Sequence, residues 1–304
     1  MNNTIKIAGT IYVADISGDI SVIDMKTNTV KATIKTGGSI FDIAVSPDRR
    51  LIFVAPLDYF DVSVIDTNTN TVVDTINLTK DSLFGTTSYG IAITPDGQLA
   101  YVIHDDNNVS IIDVSTNKIV KTIRINESPT GIAITPDGKS AYIAGTQHIF
   151  LLDIQTNTLV KMIEQSVGGA DRVRISLTPD GKFAYTADFG TGKISVIDIT
   201  TNTMKPINIE NHASDVAITP DGKFAYAVGN KTLSVIDNAT NALVKTVELG
   251  ENLIGIAITL DGKFAYIGDM NTDVIYVVQT SSNTLAGTIN LGIPVGGLKT
   301  IKFA

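Results

Sequence analysis

The sequence predicts an all-β fold, seven four-stranded antiparallel blades closed into a ring, and three observations carry that reading. A phrase of Val-Ile-Asp or a close variant, followed by Thr-Asn-Thr, recurs with its aspartate at Asp24, Asp66, Asp113, Asp153, Asp198 and Asp237, and with Gln279 in a seventh copy. The spacings run from 39 to 47 residues, with a mean of about 42.5. A second marker, Pro-Asp-Gly, keeps the same period at Pro95, Pro136, Pro179 and Pro220, and degenerates at Pro47-Asp48-Arg49 and Leu260-Asp261-Gly262. Between the markers lie short runs rich in Ile, Val and Tyr, bounded by turn signals as strands are. A period of 40–45 residues with four strands per period indicates a β-propeller. Seven units account for nearly all of the 304 residues, so one domain over residues 1–304 is expected.

The unit reads in order as follows. Gly131-Ile132-Ala133-Ile134-Thr135 forms an innermost strand, and Pro136-Asp137-Gly138 supplies a tight turn. Ser140–Ala144 and Ile149–Asp153 follow as second and third strands. Thr156-Asn157-Thr158 turns the chain into an outermost strand, Leu159–Ile163. At the ends, Gly297–Phe303 looks like an innermost strand with nothing after it, and Thr10–Asp15 like a second strand lacking its partner. If both belong to one blade, pairing them closes the ring and leaves no edge at the seam.

Composition narrows the function classes. The chain has no Cys, so disulfides, thiol nucleophiles and thiolate metal sites are excluded. A net charge of −8 argues against a non-specific grip on nucleic acid. No window approaches the run of about 18 apolar residues that a membrane helix needs, so no membrane association is expected. Met1–Ile7 lacks the basic and apolar regions of a signal peptide. As it stands the sequence reads as cytoplasmic, or as secreted or periplasmic if a leader has been removed. A monomer is expected.

The repeated phrase, seen at Gly131–Lys139 and in Tyr12-Val13-Ala14-Asp15, Tyr101-Val102-Ile103-His104, Tyr185-Thr186-Ala187-Asp188 and Tyr266-Ile267-Gly268-Asp269, resembles the YVTN-type β-propeller repeat over nearly the whole chain. The resemblance implies a fold and a repeat grammar, of a kind found in bacterial and archaeal surface and periplasmic proteins. More distantly it implies kinship with the rings that serve lactonases and streptogramin-type lyases. It transfers no functional residue, so function has to be argued from the site.

In a propeller, departures from the repeat are the informative positions. Starts of innermost strands should surround one mouth of the central channel, and they align as Asp42, Gly90, Gly131, Arg174, Asp215, Gly255 and Gly297. Ends of second strands align as Asp15, Pro56, His104, Gly145, Asp188, Gly229 and Asp269. Against a glycine background Arg174 is conspicuous, and Asp215 in the next blade is its natural partner. Such a pair would either bind ligand or merely neutralise a crowded rim. The longest connectors carry Tyr89 and Arg172, while Tyr59, Phe60 and Phe189 put aromatics on loops of the same face, with His212 near the mouth. Loops on a rigid scaffold are where binding usually sits, although ordinary loop variation explains them as well.

No catalytic spacing stands out. His104 with Asp105 and Asp106 could begin a metal site, but zinc needs three or four convergent ligands, so no metal and no cofactor is expected. The Asp residues of both repeated markers read as turn-binding, because one function repeated six times round a ring is implausible. Two function classes stay open. One is a binding propeller presenting its channel-mouth face to a small polar ligand, a glycan or a protein. The other is a lactonase-like hydrolase or lyase in which Arg174 holds an anionic or oxyanion group and His104, Asp188 or Asp215 serves as acid or base.

Overall fold

The computed structural model describes residues 9–57, 61–78, 88–104, 106–165, 173–209, 212–272, 274–291 and 298–303. Its 28 strands form seven antiparallel sheets of four, six of them in simple sequence order. The seventh is composite: β28 (Leu298–Phe303) pairs with β1 (Thr10–Asp15), which continues into β2 (Asp19–Asp24) and β3 (Thr29–Lys35). We number the composite blade first, and the others follow the chain. The template blade matches its expected strands closely, as Gly131–Ile134, Ser140–Ala144, His148–Asp153 and Thr158–Glu164.

Each joint between neighbouring blades is filled by an apolar cluster, such as Tyr12, Ile20, Ile40 and Val54 between the first and second blades. Two repeated devices lock those joints. The left-handed glycines Gly97, Gly138, Gly181, Gly222 and Gly262 have φ between +68° and +73°. On each the proline of the preceding blade's turn lies 3.4–3.7 Å from where a Cβ would sit, so the Pro-Asp-Gly marker is read by two blades at once. Within each turn the aspartate accepts from the preceding Thr, as Thr94 Oγ1 does to Asp96 at 2.6 Å, and from a later amide, as Gln98 N does at 3.0 Å. Those hydrogen bonds hold the Asp96 carboxyl below its ordinary range.

The second device is a tyrosine reaching across the joint. Tyr12 donates to Asn70 at 3.2 Å, Tyr101 to Asn157 at 2.6 Å, Tyr142 to Asn202 at 3.0 Å and Tyr185 to Asn241 at 2.6 Å, and Tyr226 does the same to Asn283. Asparagine suits these positions because all seven, including Asn28 and Asn117, have φ between +52° and +55°, a region its short polar side chain tolerates. Burial pushes the Tyr101 and Tyr142 phenols up to about 12, so they are donors at any ordinary pH. The second blade has Phe53, which lacks a hydroxyl, at the position of those tyrosines, and the Oδ1 of the third blade's Asn117 is buried without a partner, as is that of Asn28 at the seam.

Candidate functional site

The innermost strands β4 (Ile40–Val45), β8 (Ser88–Ile93), β12 (Gly131–Ile134), β16 (Val173–Leu177), β20 (Asp215–Ile218), β24 (Leu253–Ile258) and β28 surround a central cavity of about 550 Å³. Each is paired on one side only, so its other backbone edge faces the channel. Register sorts the channel residues into tiers. Those opposite the second strands' Tyr or Phe are Ala44, Ala92, Ala133, Ser176, Ala217, Ala257 and Lys302. Two residues nearer the mouth stand Asp42, Gly90, Gly131, Arg174, Asp215 and Thr300, while Gly255 is bulged out of its ladder. Gly297, assigned to this set from sequence, lies outside the described residues; the register of β28 with β1 puts Thr300 there instead.

Arg174 spans the channel. Its Nη1 lies 3.2 Å from Asp42 Oδ2 and its Nη2 donates to the Phe41 carbonyl at 3.3 Å, although β16 and β4 belong to blades three places apart in the ring. Phe41 is the extra residue of a β-bulge, which frees its carbonyl from the ladder and turns it towards the guanidinium. The Phe41 ring sits under Arg174 with Cζ 4.9 Å from its centroid, and Tyr89, bulged likewise in the next blade, packs edge-on against that ring at 5.4 Å. The side chains of Arg174 and Asp42 are 18% and 11% exposed. Opposite charges at that separation attract by about 5 kcal/mol at an effective dielectric of about 20, much of which offsets their desolvation.

The expected Arg174–Asp215 ion pair is therefore replaced by Arg174–Asp42. Asp215 points into the neighbouring joint, where it accepts from Val216 N at 2.8 Å and from Ile256 N, on the next innermost strand, at 3.1 Å. It keeps a strip of surface on the channel, but protein surrounds its carboxyl. That burial raises it above the ordinary range, against the pull of Arg174, Lys302 and the two amides. Lys302, exposed on the channel wall, completes the charged set and escaped the sequence reading.

Most other candidates do structural work. Asp188 accepts from Gly190 N at 2.9 Å and Thr191 Oγ1 at 2.6 Å, and Asp15 from Ser17 N at 2.8 Å and Ser17 Oγ at 2.6 Å, so both tie down their own loops. His104 is buried at the end of its strand, opposite Ser88, and does not line the channel. Of the acids and bases expected beside Arg174, the central cavity is lined by Asp215 but not by Asp188 or His104. Phe189 and His212 meet edge-to-face at 5.6 Å, closing a loop contact rather than forming an open patch. Tyr59, Phe60 and Arg172 lie outside the described residues. His148, at the start of the third strand of its blade, forms a dyad through Nδ1 with Glu127, which also accepts from Gln147 N at 2.8 Å. Burial works to raise Glu127, but the His148 ring and the backbone amides win and hold it below its ordinary range.

A second hollow of about 670 Å³ lies between the sixth and seventh blades, against Pro220, Tyr226, Leu260 and Phe264, and its acids Asp221 and Asp261 are committed to their own turns. Among the described residues no three His, Asp or Glu side chains converge as a metal would require, and no helix is long and apolar enough to cross a membrane.

Comparison with known proteins adds a fold and one repeat. The LVIVD repeat model matches residues 256–287, within the seventh blade. No curated protein sequence matches the chain. Among solved structures, a functionally unknown protein from Desulfotomaculum acetoxidans DSM 771 superposes with a TM-score of 0.80 at 18% identity, over 98% of this chain and 99% of that one. Kuenenia stuttgartiensis hydrazine synthase superposes with a TM-score of 0.73 at 23% identity, over 86% of this chain and 88% of that one. At such identities the likeness is one of fold alone.

Proposed function

We propose that this propeller is a binding protein whose channel mouth takes a small polar ligand, and that its blades are YVTN-type repeats. The observation that carries the reading is the guanidinium of Arg174, held across the central channel by Asp42 and the bulged Phe41 carbonyl. A ligand with an acidic or carbonyl oxygen can share or replace Asp42 as its partner, since Arg presents a fork of donors. Asp215, in the same tier, keeps a strip of surface on the channel and is a polar group of a different kind. A protein partner is less well supported, because Phe189 is already packed against His212.

The enzyme reading keeps one supporting observation, the raised carboxyl of Asp215 beside Arg174 in the channel. A carboxyl raised by burial beside a guanidinium is a familiar catalytic combination. Among the described residues, however, His104 and Asp188 do not line the central cavity, and the Asp42 carboxylate there is engaged by Arg174.

The test is a thermal-shift screen of small polar metabolites against wild type and Arg174→Ala. Unfolding entropy of ~2.1 cal/mol/K per residue gives about 0.64 kcal/mol/K for this chain, so a ligand at 100 times its Kd should raise Tm by about 4 °C. Arg174→Ala should lose most of that rise. If no compound shifts wild type, or the variant responds equally, the channel-mouth reading is wrong.

A further inference from the structure

The second tier of the channel is a belt of small side chains interrupted once. Five blades place Ala44, Ala92, Ala133, Ala217 and Ala257 there and one places Ser176, while the composite blade places Lys302, paired across from Tyr12. A four-carbon stem ending in an ammonium thus enters a space that the other six blades leave open. The electrostatic roles of its neighbours differ from its own. Arg174 is engaged by Asp42, and Asp215 takes two backbone amides. No carboxylate among the described residues lies within 4.0 Å of Lys302 Nζ. The channel therefore contains one neutralised pair, one hydrogen-bonded carboxyl and one cation with donors to spare, inside a protein whose net charge is −8.

We propose that Lys302 anchors the carboxylate of a small organic acid in the second tier, with the Arg174–Asp42 pair reading the rest of the molecule one tier above. The proposal rests on the channel-ligand reading given above and names its ligand class. Adjacent tiers are two residues apart along a strand, or roughly 6.6 Å at about 3.3 Å per residue. An acid with a hydroxyl or second carboxyl two to four carbons from the first reaches both levels. Both Asp215 oxygens accept from backbone amides, which leaves the Arg174 guanidinium to meet the far end of the ligand. A single ammonium suits a carboxylate better than a phosphate dianion, which calls for more charged donors. The cavity of about 550 Å³ admits such a molecule together with water.

The alanines provide the readout. Protein labelled with ¹³C at the alanine methyls is titrated by NMR with succinate, acetate, inorganic phosphate and glycerol, as wild type, Lys302→Met and Lys302→Arg. Succinate should move the second-tier methyls. Lys302→Met should raise its apparent Kd by at least about tenfold, or ~1.4 kcal/mol, and Lys302→Arg should bind within a few-fold of wild type. Unchanged methyl dispersion in the variants verifies that the fold is kept. Succinate binding that is indifferent to Lys302→Met overturns the anchor but leaves the channel-ligand reading standing. So does glycerol binding without succinate binding. Phosphate binding in place of succinate overturns the carboxylate assignment. If no probe moves any second-tier methyl of wild type, both readings fall.

Discussion

Replacing Phe53 by Tyr should stabilise the ring. Five joints carry a tyrosine hydroxyl donating to an asparagine of the next blade. At the joint between the second and third blades the ring is Phe53, fully buried, and the oxygen it fails to reach, Asn117 Oδ1, is buried with no partner. A buried unsatisfied acceptor costs about 1–3 kcal/mol, and a typical net hydrogen bond contributes about 1 kcal/mol. Adding the hydroxyl recovers part of that cost after its own desolvation, so a gain of about 1 kcal/mol is expected. With an unfolding entropy of about 0.64 kcal/mol/K, Tm should rise by about 1.5 °C. Differential scanning calorimetry resolves such a shift. Tyr101→Phe, at a joint where the bond is 2.6 Å, should lower Tm by a similar amount. The cycle is completed with Asn117→Gly, because Gly tolerates φ = +54°. The gain from Phe53→Tyr must vanish in that background. A loss of stability, or a gain that persists with Asn117 removed, would refute the interblade bond as the cause.

Other outcomes follow from the same geometry. Because Asp215 titrates higher folded than unfolded, the native state binds the extra proton, and its contribution is lost as pH rises from about 4 through the folded value. Denaturant midpoints should therefore show wild type gaining on Asp215→Asn as pH falls from neutral towards about 4; a flat difference contradicts the raised carboxyl. Asp42→Asn leaves a guanidinium only 18% exposed without its counter-charge, and should cost about 2 kcal/mol, or about 3 °C in Tm. Gly131→Ala drives a methyl into the Val173 carbonyl and should destabilise by more than about 3 kcal/mol, whereas Gly287→Ala meets nothing within 4 Å and should be neutral or slightly stabilising. Equal effects of those two substitutions, read by urea unfolding, would contradict the close approach of β12 to β16.

Blade number, strand order and the composite closure were legible because they repeat: seven copies of one turn grammar outvote any single irregular residue. The channel was legible only in part. Arg174 stood out by breaking a glycine column, yet its partner was sought in the adjacent blade, whereas a long side chain near the axis of a narrow ring reaches the far wall as easily as the near one. The bulges at Phe41 and Tyr89 shift register by one residue, and no spacing rule exposes such a shift. Lys302 was hidden because the last strand lacks a following turn to align on, and counting back from the repeat fell three residues short of the true register. The acids at second-strand ends resemble a ring of site residues in an alignment, but Asp15 and Asp188 spend their oxygens on amides and hydroxyls two to four residues away.

The Arg174 bridge also bears on how the ring deforms. Apolar joints, Pro–Gly contacts and Tyr–Asn bonds all run round the circumference, and a hoop held only that way resists stretching better than it resists flattening. A link from the fifth blade to the second is a chord, and it braces the hoop against becoming oval. A ligand that draws Arg174 away from Asp42 removes the brace while leaving every circumferential fastening intact. Occupancy of the axis would then register at the rim as a change in stiffness, readable in the exchange rates of outer-strand amides far from the ligand itself.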